Sequence, residues 1–425
     1  MKRFEKLFRD PIHNFITVED PIIYQLINTA EFQRLRRIKQ LGTTSYTFHG
    51  AEHNRFSHCL GVYCLAKRIT DHFTKSFPEI WNSEENQVVQ CAALLHDLGH
   101  GAYSHTFERL FGTDHEVITQ ALITSTKTEV NAILKQVSDD FPDKVASVIN
   151  HSYPNKQVVQ LISSQIDVDR MDYLLRDSYY TGTNYGQFDL TRILQAMIPV
   201  DNGIAFRFNG ANSVEDYIIS RYQMYKQVYF HPASRGMEAM LAQILKRAQY
   251  LFKEIPGYFE LTSPCLIPFF KNKFTLKEYL RLDDGVLETY FQSWMESEDS
   301  ILADLATSYT NRKVWKSFKF SDEVELDKMK KIISQSGYDP TYYSAIHSVY
   351  DLPYDIYNPS EDKLRKNIEL VRKDGSMVEL SEISPLVTTL SGNIYGNKRF
   401  YFPKVMLEND KFSKYIRNEE LINND

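Results

Sequence analysis

Ala92-Ala93-Leu94-Leu95-His96-Asp97-Leu98-Gly99-His100-Gly101 is the stretch that decides how this chain is read. Four apolar residues run into a histidine and an aspartate, and a glycine step carries a second histidine. Burying a histidine beside an aspartate is costly unless something pairs them. A divalent metal pairs both at once, because imidazole nitrogen and carboxylate oxygen are good ligands for Zn, Fe, Mn or Mg.

Matching partners stand on either side. Upstream, Asn54-Arg55-Phe56-Ser57-His58 brings another histidine; downstream come Asp114-His115-Glu116 and Asp167-Val168-Asp169-Arg170-Met171-Asp172-Tyr173. His58, His96, Asp97 and one aspartate of the last segment would hold one ion and leave positions open for water and substrate. Asp169 is the best fourth ligand: on a helix it shares a side with Tyr173 and Asp177, with Arg170 beside that stripe and Asp167 well off it. The remaining aspartates fall to supporting or surface places. His100, four residues after His96, faces the same site if the helix continues. His105 and His115 are further acid–base candidates, with Glu116 able to orient a histidine.

Composition limits the alternatives. The chain has 425 residues, 43% hydrophobic and 24% charged, an ordinary globular balance with room for one to three domains. It shows no apolar run of about 18 residues and no signal-peptide core, so no membrane span is expected. Its four cysteines form no CxxC pair, and Cys59, Cys64 and Cys91 sit in helix-like segments. The expectation is reduced thiols in a cytoplasmic protein. A net charge of −6 argues against a nucleic-acid coat. The basic clusters at 34–39 and 363–366 read as solvated faces ahead of a polyphosphate site.

The pattern is extended over residues 1–20 and mostly helical from about 21 to 250. One buried helix is expected over 158–175 and a helix start at Asn82. A β-like interruption is expected at 203–208, then a capping-box start at Ser213. Past residue 255 prolines and aromatics thicken, with strands expected at 313–320, 377–380 and 400–403. The expected fold is mainly α: a helical core over 1–255 and a smaller α+β region over 256–425, serving interface or allosteric support.

Together these segments resemble the HD phosphohydrolases and, more narrowly, the deoxynucleoside triphosphate triphosphohydrolases: the vertebrate SAM-and-HD-domain enzyme and its bacterial homologues. Asp10-Pro11-Ile12-His13, the run from Phe32 to Gly42, His53 to His58, Asp167 to Asp177, and Arg221-Tyr222 to His231 carry the likeness in order and spacing. It covers roughly residues 5 to 250, without a SAM domain. The resemblance implies a helical HD core, an oligomer, often a tetramer, and hydrolysis of dNTPs to deoxynucleoside and triphosphate. It assigns His58, His96, Asp97 and Asp169 to the metal, and His100, His115 and Glu116 to a catalytic relay. His105 would protonate the leaving 5′-oxygen. Arg55, Arg170 and Arg221 would hold phosphates, with Arg170 standing where the vertebrate enzyme has lysine. Gln40 and Asp177 would bond the sugar 3′-hydroxyl, and Leu41, Tyr173 and Tyr229 would wall the sugar against a ribose. A nucleotide activator, GTP, dGTP or a dNTP, would sit between subunits on Lys6, Asn28, Arg36, Arg192 and Arg207. Asn28 replaces an aspartate there, which loosens selectivity for guanine.

Three other readings compete. A different HD nucleotidase or phosphodiesterase lacks the long likeness outside the metal motif. A nuclease or nucleic-acid binder is disfavoured by net charge, and a silent nucleotide sensor by the intact metal and acid–base sets.

Overall fold

The computed structural model describes residues 4–320, 323–347, 367–390, 398–410 and 412–413. The chain opens with a hairpin, β1 (Lys6–Asp10) against β2 (Asn14–Val18), turned at Asp10-Pro11-Ile12-His13. The Asp10 carboxylate accepts from Ile12 N and His13 N, closing that turn. A helical body follows. Its centre is the 22-residue helix Arg55–Ser76, capped by Asn54, whose side chain accepts from Ser57 N. It packs against Asn86–Leu95, which ends at His96, and against Val168–Thr181.

The contact with Val168–Thr181 is made at Gly61. A Cβ there would lie 1.8 Å from Asp172 Oδ1 and 2.4 Å from Arg176 Nη2. Only glycine lets those two helices close over the polar groups between them.

The expected helix over 158–175 is two helices, Lys156–Ile162 and Val168–Thr181. The break comes at Asp167, whose buried side chain accepts from Arg170 N at 2.7 Å and starts the second helix as its N-cap. The start expected at Ser213 comes earlier. Helix Ala211–Met224 runs directly out of a 3₁₀ turn with no side-chain cap, and Ser213 is inside it. The cluster at 34–39 is not one solvated face. Arg34 is buried and gives Nη1 to His100 O and Nη2 to Leu282 O, each at 2.8 Å, while Arg36 and Arg37 stay exposed. The cluster at 363–366 lies outside the described residues.

The strands fall near their expected places. β3 (Met197–Val200) and β4 (Gly203–Arg207) form a hairpin, and β4 runs parallel to β7 (Glu369–Val371), which pairs with β8 (Met377–Glu379). β5 (Lys316–Lys319) and β6 (Ala345–His347) flank β9 (Arg399–Phe402). The fold is therefore a helical core with a smaller α+β region. One apolar core is continuous between them: Phe107 and Phe111 pack on Phe269 at ring-centre distances of 4.9 and 5.8 Å. No helix among the described residues is long and apolar enough to cross a membrane.

Candidate active site

The first turn of Arg55–Ser76 points His58 inward, fully buried. Its Nδ1 lies 2.8 Å from Asp172 Oδ2 and its Nε2 3.0 Å from Asp169 Oδ1. His96 gives Nδ1 to Ala93 O at 2.9 Å, which leaves Nε2 as the unprotonated nitrogen. That buried Nε2 has no hydrogen-bond partner among the described residues; Asp97 Oδ1 and Asp169 Oδ1 lie 3.3 and 3.5 Å away. Ligand atoms of His58, His96 and Asp169 all fall within 4.8 Å of one another. Two imidazole nitrogens and a carboxylate, one nitrogen lacking a partner, are the donor set a divalent ion requires. The residues fit such an ion.

Asp97 stands between this triad and a second. Its Oδ1 is 3.2 Å from His100 Nε2, its Oδ2 3.8 Å from His58 Nε2, and Arg55 pairs with it. Ligand atoms of Asp97, His100 and His115 also lie within 4.8 Å of one another. A β-carbon on Gly99 would lie 2.3 Å from His115 O, so glycine lets the two chain segments touch. His100 and His115 stack with ring centres 3.9 Å apart.

Their protonation is pushed apart. Burial, then the charge of Arg55, holds His100 well below its ordinary pKa, so it stays neutral. Burial also opposes charge on His115, but a hydrogen bond to Glu108 outweighs it and raises that pKa. Burial opposes charge on half-buried Asp169, yet its hydrogen bond with His58 holds the carboxyl well below the usual range.

Sequence reasoning missed Glu108. Its Oε1 is 2.9 Å from His115 Nδ1 and accepts His115 N at 3.1 Å. Glu116 is half exposed, its carboxylate 4.0 Å from His151, so the carboxylate that orients His115 is that of Glu108. The signal was faint: a helical glutamate three residues after His105 looks like surface. His105 begins helix His105–Phe111, and its side chain lies outside the described ones.

Three arginines stand around the cluster, Arg55 and Arg221 buried and Arg170 half-buried. Arg55 also gives Nη2 to Ser104 Oγ at 3.0 Å, Arg170 pairs with Asp167, and Arg221 gives Nη1 to Gln165 Oε1 at 3.0 Å. Gln40 N bonds His53 O at 3.0 Å, and His53 Nε2 reaches Asp177 Oδ1 at 2.7 Å. Tyr229 OH donates to Asp177 Oδ2 at 2.7 Å from a π-helical turn, Tyr225–Tyr229. The ring of Tyr173 lies 6.2 Å from that of Tyr229, and half-buried Leu41 follows Gln40. Gln40 Oε1 is buried with no hydrogen-bond partner among the described residues.

The residues implied for an activator fall in separate places. Lys6 lies 5.4 Å from the centre of the Tyr24 ring, and Asn28 Nδ2 bonds Tyr24 O at 2.7 Å. A cavity of about 360 Å³ opens there, lined by Tyr24, Asn28 and Glu129. Arg36 stacks 3.6 Å from the centre of Phe56. Arg192 bonds Asn209 O at 2.9 Å near Arg207, whose guanidinium lies 5.6 Å from the Phe77 ring.

An HD domain model matches residues 55–177, and an HD associated region model matches 188–253. Over 407 residues the chain is 48% identical to the uncharacterized protein YwfO of Bacillus subtilis, covering 95% of this chain and 93% of that one. The chain belongs to the HD-domain family. This HD-domain phosphohydrolase is also 31% identical, over 348 residues, to the deoxynucleoside triphosphate triphosphohydrolase SAMHD1 homolog of Dictyostelium discoideum. That match spans 77% of this chain and 63% of the relative. A solved phosphohydrolase from Bacteroides thetaiotaomicron superposes with a TM-score of 0.81 at 29% identity, over 94% of this chain and 99% of that one.

Proposed function

We propose that this HD-domain protein hydrolyses dNTPs to deoxynucleoside and inorganic triphosphate. The observation that carries the reading is the order of side chains along helix Val168–Thr181. Asp169 stands at the metal cluster, Arg170 follows, Tyr173 meets Tyr229, and Asp177 gathers Tyr229 and His53. Asp169 and Asp177 are about 12 Å apart along the axis at the helical rise, enough to span the phosphates and sugar of a nucleotide.

His58, His96, Asp97 and Asp169 would hold the divalent ion, which is Mg, Mn, Fe or Zn. When bound, the ion acidifies water and neutralises phosphate oxygens. Arg55, Arg170 and Arg221 hold the phosphates, and the burial of Arg55 and Arg221 strengthens the hold on charge. Neutral His100 stacked on His115, which Glu108 orients, can pass a proton at the α-phosphate; His105 supplies the proton for the departing 5′-oxygen. Gln40 Oε1 and Asp177 bond the 3′-hydroxyl. Leu41, Tyr173 and Tyr229 close on the sugar and leave a 2′-hydroxyl no partner.

We further propose a cytoplasmic homo-oligomer, a tetramer, activated by GTP, dGTP or a dNTP between subunits. Lys6 and Asn28 converging on Tyr24 support one seat, and Arg36, Arg192 and Arg207 supply further cations. The arrangement does not call for nucleic acid.

A product assay tests the reading. The chain is incubated with Mg or Mn and each dNTP, with and without GTP or dGTP, and triphosphate, pyrophosphate and phosphate are separated. Deoxynucleoside plus triphosphate, lost on His96→Ala, is expected. Pyrophosphate or phosphate alone would replace this reading with another HD nucleotidase or phosphodiesterase.

A further inference from the structure

Two site-bearing loops are tied together by a segment that lies beyond both family matches. Asp284, the first residue of helix Asp284–Trp294, is 3% exposed. Its Oδ2 accepts from Lys39 N at 2.7 Å and its Oδ1 from Tyr103 N at 2.8 Å. Lys39 precedes Gln40, and Tyr103 precedes Ser104, which bonds Arg55. The same segment reaches the site twice more: Tyr279 OH donates to Gly99 O at 2.7 Å, and Arg34 bridges Leu282 O and His100 O.

Two facts separate this carboxylate from ordinary packing. Tyr103 and Ser104 both sit at positive φ, +50° and +45°, a left-handed pair that non-glycine residues hold only when neighbours enforce it. A buried carboxylate is also poor filler: burial pushes the Asp284 carboxyl up to about 6, against the pull of the two N–H groups. A carboxylate can accept from two N–H groups at once through separate oxygens. An amide offers one oxygen and turns an NH₂ against the other donor.

We propose that Asp284 is a positioning residue of the active site: its two carboxylate oxygens fix the separation of the Gln40 loop and the Ser104 loop. The region after residue 255 thereby sets the width of the substrate pocket. This rests on the proposed function, in which Gln40 and Arg55 touch the substrate.

The test uses the full chain with Asp284→Asn, Tyr279→Phe as a gentler cut of the same strut, and Glu288→Gln as control. Glu288 meets the side chains of Lys39 and Tyr103 rather than their amides. Amide exchange should rise in 37–42 and 99–106 for Asp284→Asn but not in the 6–18 hairpin, with metal content unchanged. Its kcat/KM for a dNTP should fall about tenfold or more with a raised KM, as loosened positioning predicts. Tyr279→Phe should show a smaller loss of the same kind, and Glu288→Gln should match wild type. If Asp284→Asn does not fold, Tyr279→Phe carries the decision on both readouts. Unchanged exchange in both loops, or raised exchange with wild-type kcat and KM, overturns the proposal. A wild-type chain that releases no triphosphate strikes the function instead, and the strut then stands or falls on the exchange of those loops.

Discussion

Asp172 Oδ2 lies 2.8 Å from His58 Nδ1, and this contact decides which nitrogen of the imidazole faces His96 and Asp169. The same carboxylate takes His13 Nε2 at 2.7 Å and a two-point bond from Arg176, which also holds Asp10. A partner on Nδ1 leaves Nε2 as the ligand and raises its basicity. Asp172→Asn keeps the shape and removes the charge. Its metal affinity should fall about 10- to 100-fold, the usual loss for such a partner. Competition with a chelator measures it, and an unchanged constant would refute the role.

Metal binding should also depend on pH, with a fixed sign. Burial opposes charge on His58, yet hydrogen bonds to Asp169 and Asp172 raise its pKa from 6.5 to about 10 before an ion binds. Its pairing therefore contributes stability fully below about pH 6.5 and loses it as pH rises through about 10. An ion must displace that proton. Affinity should thus climb by up to about tenfold per pH unit between about 7 and 9, with protons released. Calorimetry in buffers of different ionisation enthalpy counts those protons; finding none would contradict the assignment.

Glu108 and Glu116 can be told apart by kinetics. Glu108→Gln weakens the bond that orients His115 and should lower kcat by about 100-fold, within the range for a disturbed acid–base group. Glu116→Gln, on a half-exposed side chain, should stay within about threefold of wild type. The reverse ranking would return the relay to Glu116.

Gly61→Ala places a methyl group on Asp172 Oδ1 and Arg176 Nη2, both held on several sides. Overpacking of this kind costs about 1–3 kcal/mol or more. Denaturant unfolding should show a lowered midpoint, and metal affinity should drop with it because His58 leans on the same carboxylate. A wild-type midpoint would show that the two helices can part freely.

Much of the site was legible in the chain because its residue types are unusual for the places they occupy. His58, His96 and Asp169 stand inside apolar helical patterns, and the step of four from Asp169 to Tyr173 and Asp177 survives as one helix face. What stayed hidden depends on distance in sequence. Glu108 and Asp284 look like surface acids until folding sets them beside His115 and Tyr103. Asp167 reads as helix interior by periodicity, yet its short side chain bonds its own backbone and starts a new helix. The bend at Tyr103-Ser104 has no composition signal, because neither residue favours positive φ.

The hairpin has a consequence for how the chain is made. His13 and Asp10 find their partners 159 and 166 residues further on, at Asp172 and Arg176. On a ribosome, the first turn to emerge must wait with its carboxylate and imidazole uncovered until the helix carrying both partners has left the exit tunnel. Until then His58 lacks the neighbour that selects its tautomer. An ion arriving early meets an imidazole free to present either nitrogen, so loading with the right geometry waits for helix Val168–Thr181 and not for the hairpin.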